Sequence, residues 1–553
     1  LLLLIDAVCR FGTAGLLYSD NGLMPRSGVM ELVEPTRLSL HLINGGNGFI
    51  HTLLLLQLLA AGALMLGWRT RMVTLCLFVL SLSLAVRNPL ALSAADALTI
   101  SLLWWGLFLP WNARWSVESA LTADPIDDEH IASAASAGLI WSVIGAFVWL
   151  AASLDWSAPS ELARAAAALL DQANIAYPWS AWISVVPTLD VMLAWWALAS
   201  VALAPIMALI PLKWLRAPAI VNLLLFLAFL VTHFALGSLP WMLAVGLFGL
   251  IGGGFWRWCA RRHHRATGDG VLRIFYDGDC RFCHQSCLLL REFLIVPAAE
   301  IRPAQDNGRA HALMQAQYSW VVIDRQDNAH LKWDAFVCLL RESSLLRPLS
   351  GFFGLRRWRS PGTRVYDWVA EHRGAFGRVS ARLLPRNPGL TLNPQGVRTI
   401  AGISLLFVGL WELSAGTLPP VARLVQTPVQ LLGLDYRRDR LITLPEYRDG
   451  WFLAVGETHD GEPIDVLSAN RGRPRYEPRR WPSLQGISTR EQAYRQRLIE
   501  PEHQHLRQYW VSDLCRRHPE VQNIRLLVLM ERDAPGAAVE QTVLHRQNCT
   551  KSK

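Results

Sequence analysis

Over its first 256 residues the chain repeats one pattern, an apolar run followed by a short polar break. Eight such runs lie at 1–17, 49–67, 72–86, 94–109, 131–152, 183–210, 217–236 and 239–256. A bilayer is crossed by about 20 apolar residues in a helix, so the runs predict a polytopic α-helical membrane bundle whose shorter helices tilt or insert in part. Tryptophans gather where the runs end (Trp68, Trp104, Trp111, Trp115, Trp241, Trp256), at the depth where an amphipathic ring is best solvated. The pattern then changes. "VLRIFYDG" reads as a strand entering a turn, and "RFCHQSCLLLREFLI" has helical apolar spacing. "SWVVID" reads as a second buried strand and "WDAFVCLLRES" as another amphipathic helix. This alternation predicts an α/β domain over 268–385. One more apolar run, 399–416, predicts a ninth membrane helix. Residues 417–553 predict a C-terminal α+β domain, with a hairpin turning near Asp460-Gly461, helix over "STREQAYRQRLIEPEHQHLRQYWVSDLCRRH" and a late strand at "NIRLLVLMER".

Composition supports a membrane protein. The chain is 52% hydrophobic and only 18% charged, against about 25% charge in soluble domains. A net charge of +9 raises a nucleic-acid reading, but the basic residues sit beside apolar runs, so no nucleic-acid partner is expected and lipid is. "GWRTR" (67–71), "PLKWLR" (211–216) and "RWCARRHHR" (257–265) all fall on one side if the first helix starts inside. Basic loops favour the cytoplasm, which predicts an inner (cytoplasmic) membrane protein of bacterial type. The α/β domain is then cytoplasmic and the C-terminal domain extracytoplasmic, where Cys515 and Cys549 are free to form a disulfide. Lysine is confined to Lys213, Lys332, Lys551 and Lys553. The chain begins on Leu1 rather than Met, so residues are expected before it. "LLLLIDAVCRFGTAGLLY" lacks the basic start and cleavage site of a signal peptide and reads as a membrane helix.

"FYDGDCRFCHQSC" (275–287) carries the candidate chemistry. Cys280 and Cys283 bracket the start of a helix that follows a strand. Cys280 is placed to cap that helix, where the dipole favours thiolate, and Arg281 and His284 add positive potential. Two intervening residues let Cys283 attack a mixed disulfide formed on Cys280. This is the thioredoxin-like layout. Cys287, one turn further on, opens a rival reading as a zinc or iron–sulfur site, for which His284, Cys338 or Cys259 would have to complete the ligands. The plainer reading makes Cys287 and Cys338 ordinary buried residues.

"YDGDCRFC" resembles the signature of the DCC family of thiol-disulfide oxidoreductases, and the resemblance continues through "WVVIDRQDNAHLKWDAFVCLLRES" and "VYDWVAEHRGAFGR". It implies a thioredoxin-like fold, redox activity and Asp277, Cys280 and Cys283 as the catalytic set. No proline precedes "WVVID", where thioredoxins place a cis-proline. In the membrane half, "YSDNGLMPR", "RNPLALSAADALTISLLWWGLFLPWNARWSVE" and "HFALGSLPWMLAVGLFG" resemble the HTTM family, related to vitamin K-dependent γ-carboxylases. "LPEYRDGWFLAVGETHDGEPIDVL" and "RRWPSLQG" resemble the region that follows in long members. That resemblance implies hydroquinone oxidation with a lysine base, but the matching stretch, "AASLDW" (151–156), has no lysine.

The expected function is therefore membrane-anchored thiol-disulfide exchange at Cys280 and Cys283 with a protein or small-molecule dithiol or disulfide partner. Dithiol exchange needs no cofactor, and a quinone is the one the resemblance admits. Two alternatives stand beside it: a quinone-dependent carboxylase or epoxidase, and a non-enzymatic metal-binding scaffold. Asp6, Arg10, Asp96, Asp190, His233 and Glu412 are ionisable residues inside predicted helices. The spacing of Asp6 and Arg10 predicts a neutralising pair on one helix, and Asp96 and His233 are expected to be solvated at the interface.

Overall fold

The computed structural model describes residues 1–34, 37–122, 133–171, 176–186, 188–251, 255, 270–384, 394–417, 419–434, 450–468, 472–474, 476, 488–531 and 539–549. Among them, five helices are long and apolar enough to cross a membrane: Asn47–Met65, Thr70–Arg87, Ala134–Ala152, Leu189–Leu209 and Trp214–His233. The remaining three of the eight runs form shorter helices, Leu2–Tyr18, Ala94–Gly106 and Leu239–Phe248. Ser93 and Asp96 close a capping box that opens the second of these, and Pro110 follows its end. Residues 252–254 and 256–269, which include the third basic loop and Cys259, lie outside the described residues. Close approach within the bundle depends on small residues: a Cβ on Gly246 would meet Val143 Cγ2 at 2.2 Å. The run at 399–416 is helical within Pro394–Thr417.

The α/β segment forms a four-stranded sheet in the order β2-β1-β3-β4. Strands β1 (Arg273–Tyr276) and β2 (Glu300–Pro303) are parallel, and β3 (Val321–Ile323) and β4 (Ala329–Leu331) join antiparallel. Helix Arg281–Phe293 crosses from β1 toward β2, and helix Lys332–Glu342 follows β4. Both expected strands and both expected helices are present. Strands β2 and β4 are short and carry too little apolar alternation to be read from the pattern. Leu272, Ile274, Cys287, Val322, Cys338 and Leu339 meet in the buried core between sheet and helices.

In the C-terminal region, β5 (Gly450–Thr458), β6 (Pro463–Asp465), β7 (Val521–Glu531) and β8 (Val539–Asn548) pair antiparallel in the order β6-β5-β7-β8. The expected hairpin turns at Gly461, whose φ of +79° suits a glycine. The expected helix is two helices, Thr489–Arg497 and Arg507–Arg517, because Pro501 opens a 3-10 turn between them. The side chains of this region share one core with the bundle: Leu17, Tyr18, Leu23 and Ile50 pack with Tyr494, Trp510 and Leu526.

The two sheet-bearing regions engage opposite ends of one helix. Helix Asn47–Met65 meets the C-terminal core through Ile50 and Leu54 near its start. Just past its other end, Trp68 Nε1 donates to Leu383 O of the α/β segment at 2.8 Å. Nineteen residues at about 1.5 Å rise span about 28 Å, close to the thickness of a hydrocarbon core.

Two expectations about buried charge are corrected at the C-terminal contact. Asp6 and Arg10 do pair, at 2.7 Å, but the pair is half of a tetrad. Arg10 also binds Asp96, and Arg490 reaches in from helix Thr489–Arg497 to bind Asp6 at 2.5 Å and Asp96 at 2.7 Å. Asp96 is therefore buried and doubly paired rather than solvated, because a guanidinium distant in sequence replaces water around it. His233 is half-buried, stacked on Phe229 and bonded to Thr232 Oγ1 at 2.8 Å. Glu412 accepts from Trp141 Nε1 at 2.7 Å.

Candidate active site

Strand β1 ends at Tyr276 and the chain turns through Asp277 and Gly278 into the helix that carries the thiols. Cys280 N donates to Asp277 O at 2.9 Å, which closes the turn. Gly278 N donates to Gln305 Oε1 at 3.1 Å, and a Cβ on Gly278 would stand 2.8 Å from that oxygen, so a larger residue there would make the Gln305 side chain shift. Cys280 is the N-cap of helix Arg281–Phe293, with its Sγ accepting from Cys283 N at 3.2 Å. Cys280 and Cys283 are joined as a disulfide with their Cα atoms 5.2 Å apart. Both are half-buried at the domain surface. When the bond opens, a sulfur at the Cys280 position faces an unsatisfied amide and the positive end of the helix dipole, which stabilise a thiolate.

Asp277 holds the turn. Its carboxylate accepts from Asp279 N at 3.2 Å and lies 3.5 Å from Arg373 of helix Arg373–Leu383. His284 departs from expectation. It stacks on Tyr276 at 4.6 Å, and burial, then Arg291, lower its pKa, so at neutral pH the ring is uncharged and adds no positive potential. Cys287 and Cys338 are 3% and 5% exposed, and burial pushes both thiols up to about 12. Neither is a thiolate at neutral pH, so both are core residues by chemistry as well as by position. Among the described residues no group of three or more His, Cys, Asp or Glu is arranged to hold a metal ion.

The sequence pattern missed the space beside the disulfide. A cavity of about 510 Å³ opens there, with Cys283 on its wall. Helix Arg356–Glu371 supplies Gly362, Tyr366 and Val369, and helix Lys332–Glu342 supplies Trp333 and Phe336. The spacing 362, 366, 369 is one face of a helix, a signal present in the sequence but indistinguishable from an ordinary core stripe. A Cβ on Gly362 would come within 2.1 Å of the Trp333 ring, so this glycine lets the indole lie flat against the helix backbone.

Residues 274–379 match the family described as DCC1-like thiol-disulfide oxidoreductase. This segment is similar to DCC1-like thiol-disulfide oxidoreductases. The match begins in β1 and ends in helix Arg373–Leu383, so it takes in the turn, both sulfurs, Asp277 and the cavity. No curated protein and no solved structure matches the chain. The DCC1-like domain departs from thioredoxin practice before β3: no described peptide bond is cis, and Trp320 stands where thioredoxins place a cis-proline.

Proposed function

We propose that the protein is a membrane-anchored dithiol–disulfide exchanger built on a thioredoxin-like DCC1-like domain. The carrying observation is the disulfide of Cys280 and Cys283 at a helix start, with Cys280 Sγ held by the Cys283 amide. In the reduced form, Cys280 thiolate attacks a substrate disulfide, one substrate sulfur leaves as a thiolate, and a mixed disulfide forms. Cys283 then attacks Cys280 Sγ, which releases the second substrate sulfur and re-forms the protein disulfide. Asp277 positions the turn through its bonds to the Asp279 amide and Arg373. Alkylation of the reduced, full-length protein at neutral pH is expected to modify Cys280 faster than Cys283 or Cys287. Equal rates, or exchange activity that survives Cys280→Ser, defeats the assignment.

The bundle, read with its HTTM-like resemblance, anchors this domain at the cytoplasmic face of the inner membrane, with the ninth helix leading to an extracytoplasmic C-terminal domain. Contacts of the two soluble regions at opposite ends of helix Asn47–Met65 support that arrangement. So does the Cys515–Cys549 disulfide, which suits an oxidising compartment. A reporter fused after Arg265 is expected to read cytoplasmic and one fused near Gly450 extracytoplasmic; reporters that read the same side sink the topology. Coupling to a quinone remains part of the proposal. The carboxylase alternative gains nothing from Asp155, which is exposed and whose pKa is lowered by its hydrogen bonds to Ser157, leaving it a weak base.

A further inference from the structure

We propose that the cavity beside Cys283 is the binding site of a neutral, ring-bearing, low-molecular-weight thiol that reduces the domain by attacking Cys283 rather than Cys280. The proposal rests on the dithiol-exchange reading above and names its substrate.

Four observations carry it. The volume, about 510 Å³, is that of a small-molecule pocket and not of a flat protein-docking face. The walls are aromatic: Phe282, Trp320, Trp333, Phe336 and Tyr366 all line the space, which favours a flat ring. The cations on the wall are already neutralised, Lys332 by Asp367 at 2.8 Å and Arg373 by Asp277 at 3.5 Å. An acidic thiol peptide would have to displace those carboxylates, so a neutral ligand fits better. Finally, the backbone leading into β3 offers little to an extended peptide: Trp320 N donates to Tyr366 Oη at 3.0 Å and Trp320 O accepts from Ser319 Oγ at 2.8 Å.

The geometry also sets which sulfur reacts. Cys283 lines the cavity and Cys280 does not. A thiolate bound there attacks Cys283 Sγ, the Cys280–Cys283 bond breaks, and Cys280 departs as a thiolate held by the Cys283 amide. A second ligand thiolate attacks the ligand sulfur of the mixed disulfide. Cys283 leaves with the electron pair and takes a proton. Two ligand thiols thus become one ligand disulfide, and the protein disulfide becomes a dithiol. The helix start serves Cys280 in both directions, as nucleophile toward outgoing substrate and as leaving group toward the incoming reductant.

The test follows reduction of the oxidised, full-length protein in detergent by benzyl mercaptan, glutathione and dithiothreitol at matched thiolate concentrations. Benzyl mercaptan is expected to show a rate that saturates with concentration, and glutathione one that stays linear and at least about tenfold slower at low concentration. Val369→Trp fills the cavity, and is expected to remove saturation with benzyl mercaptan while leaving reduction by dithiothreitol within about twofold; an unfolding midpoint matching that of the unsubstituted protein shows that the variant is folded. In Cys280→Ser, dibenzyl disulfide should leave a benzylthio adduct on Cys283 that mass spectrometry maps. Linear kinetics with both monothiols, or saturation that survives Val369→Trp, overturns the cavity site and leaves the exchange reading intact. Failure of all three reductants to open the Cys280–Cys283 bond overturns both.

Discussion

The two disulfides among the described residues share a bond type and little else. Cys280 and Cys283 are three residues apart at the start of one helix, beside a cavity. Cys515 and Cys549 are 34 residues apart, and join helix Arg507–Arg517 to the residue that follows β8. Opening the first releases almost no chain, because its helix holds both residues in place, so the bond is free to cycle. Opening the second returns the entropy of a long loop to the unfolded chain. The surroundings differ in the same sense. The DCC1-like domain touches the bundle through polar contacts such as Glu292 Oε1, which accepts from Trp115 N at 2.6 Å and from Ser119 Oγ at 3.2 Å. The C-terminal region shares a core with the bundle and buries Arg490 in it. One region is docked for exchange and the other is built in.

The strongest way to break this comparison is at Arg490. Its replacement by Met leaves Asp6 and Asp96 with Arg10 alone, an uncompensated buried charge that costs about 3–5 kcal/mol. The purified protein should unfold at a markedly lower temperature, whereas Glu292→Gln at the other end should shift stability by no more than about 1 kcal/mol. Similar losses from the two substitutions would show that the regions are attached alike.

The cysteines sharpen the contrast. Cys515→Ser should cost about 2–4 kcal/mol in denaturant unfolding, as expected for a loop of this length, and leave thiol exchange intact. Cys283→Ser should do the reverse, with little change in midpoint and no completed exchange. A Cys515→Ser protein that keeps its midpoint would mean that the second bond is no staple.

The smallest effect concerns Cys287. Its thiol titrates near 9 when exposed and is pushed up to about 12 by burial in the fold. Between those values the unfolded chain has lost the proton and the folded one has kept it. Stability from this group is therefore complete below about pH 9 and falls as pH rises toward 12, by about 1.4 kcal/mol per unit. Cys287→Ala should remove that part of the alkaline loss when unfolding midpoints are compared at pH 8 and pH 11. An unchanged pH dependence would mean that water reaches this thiol.

Much of the reactive turn was legible without coordinates. Spacing alone placed Cys280 at a helix start, because a strand, an Asp-Gly turn and an amphipathic run follow in order, and the Cys283 amide occupies the expected place. His284 was misread because ring stacking and burial, which remove its charge, depend on Tyr276 folding over it. Of the eight apolar runs, the five longest helices follow hydropathy directly, while the extents of Ala94–Gly106 and Leu239–Phe248 depended on a capping box and a proline.

By itself, then, the sequence determined what short-range periodicity and neighbouring residues encode: apolar helices, the strand–turn–helix around the thiols, and the hairpin at Gly461. The tertiary structure decided what joins residues far apart in the chain. Arg490 meets Asp6 and Asp96, β8 pairs with β7, Cys549 reaches Cys515, and Gly362 closes on Trp333 to shape a cavity. The physical reason is that periodicity specifies which face of an element is apolar, and many partners satisfy an apolar face equally well. Only packing the whole chain at once selects the partner, and with it the arginine, 394 residues away in the chain, that meets the buried carboxylate of Asp96.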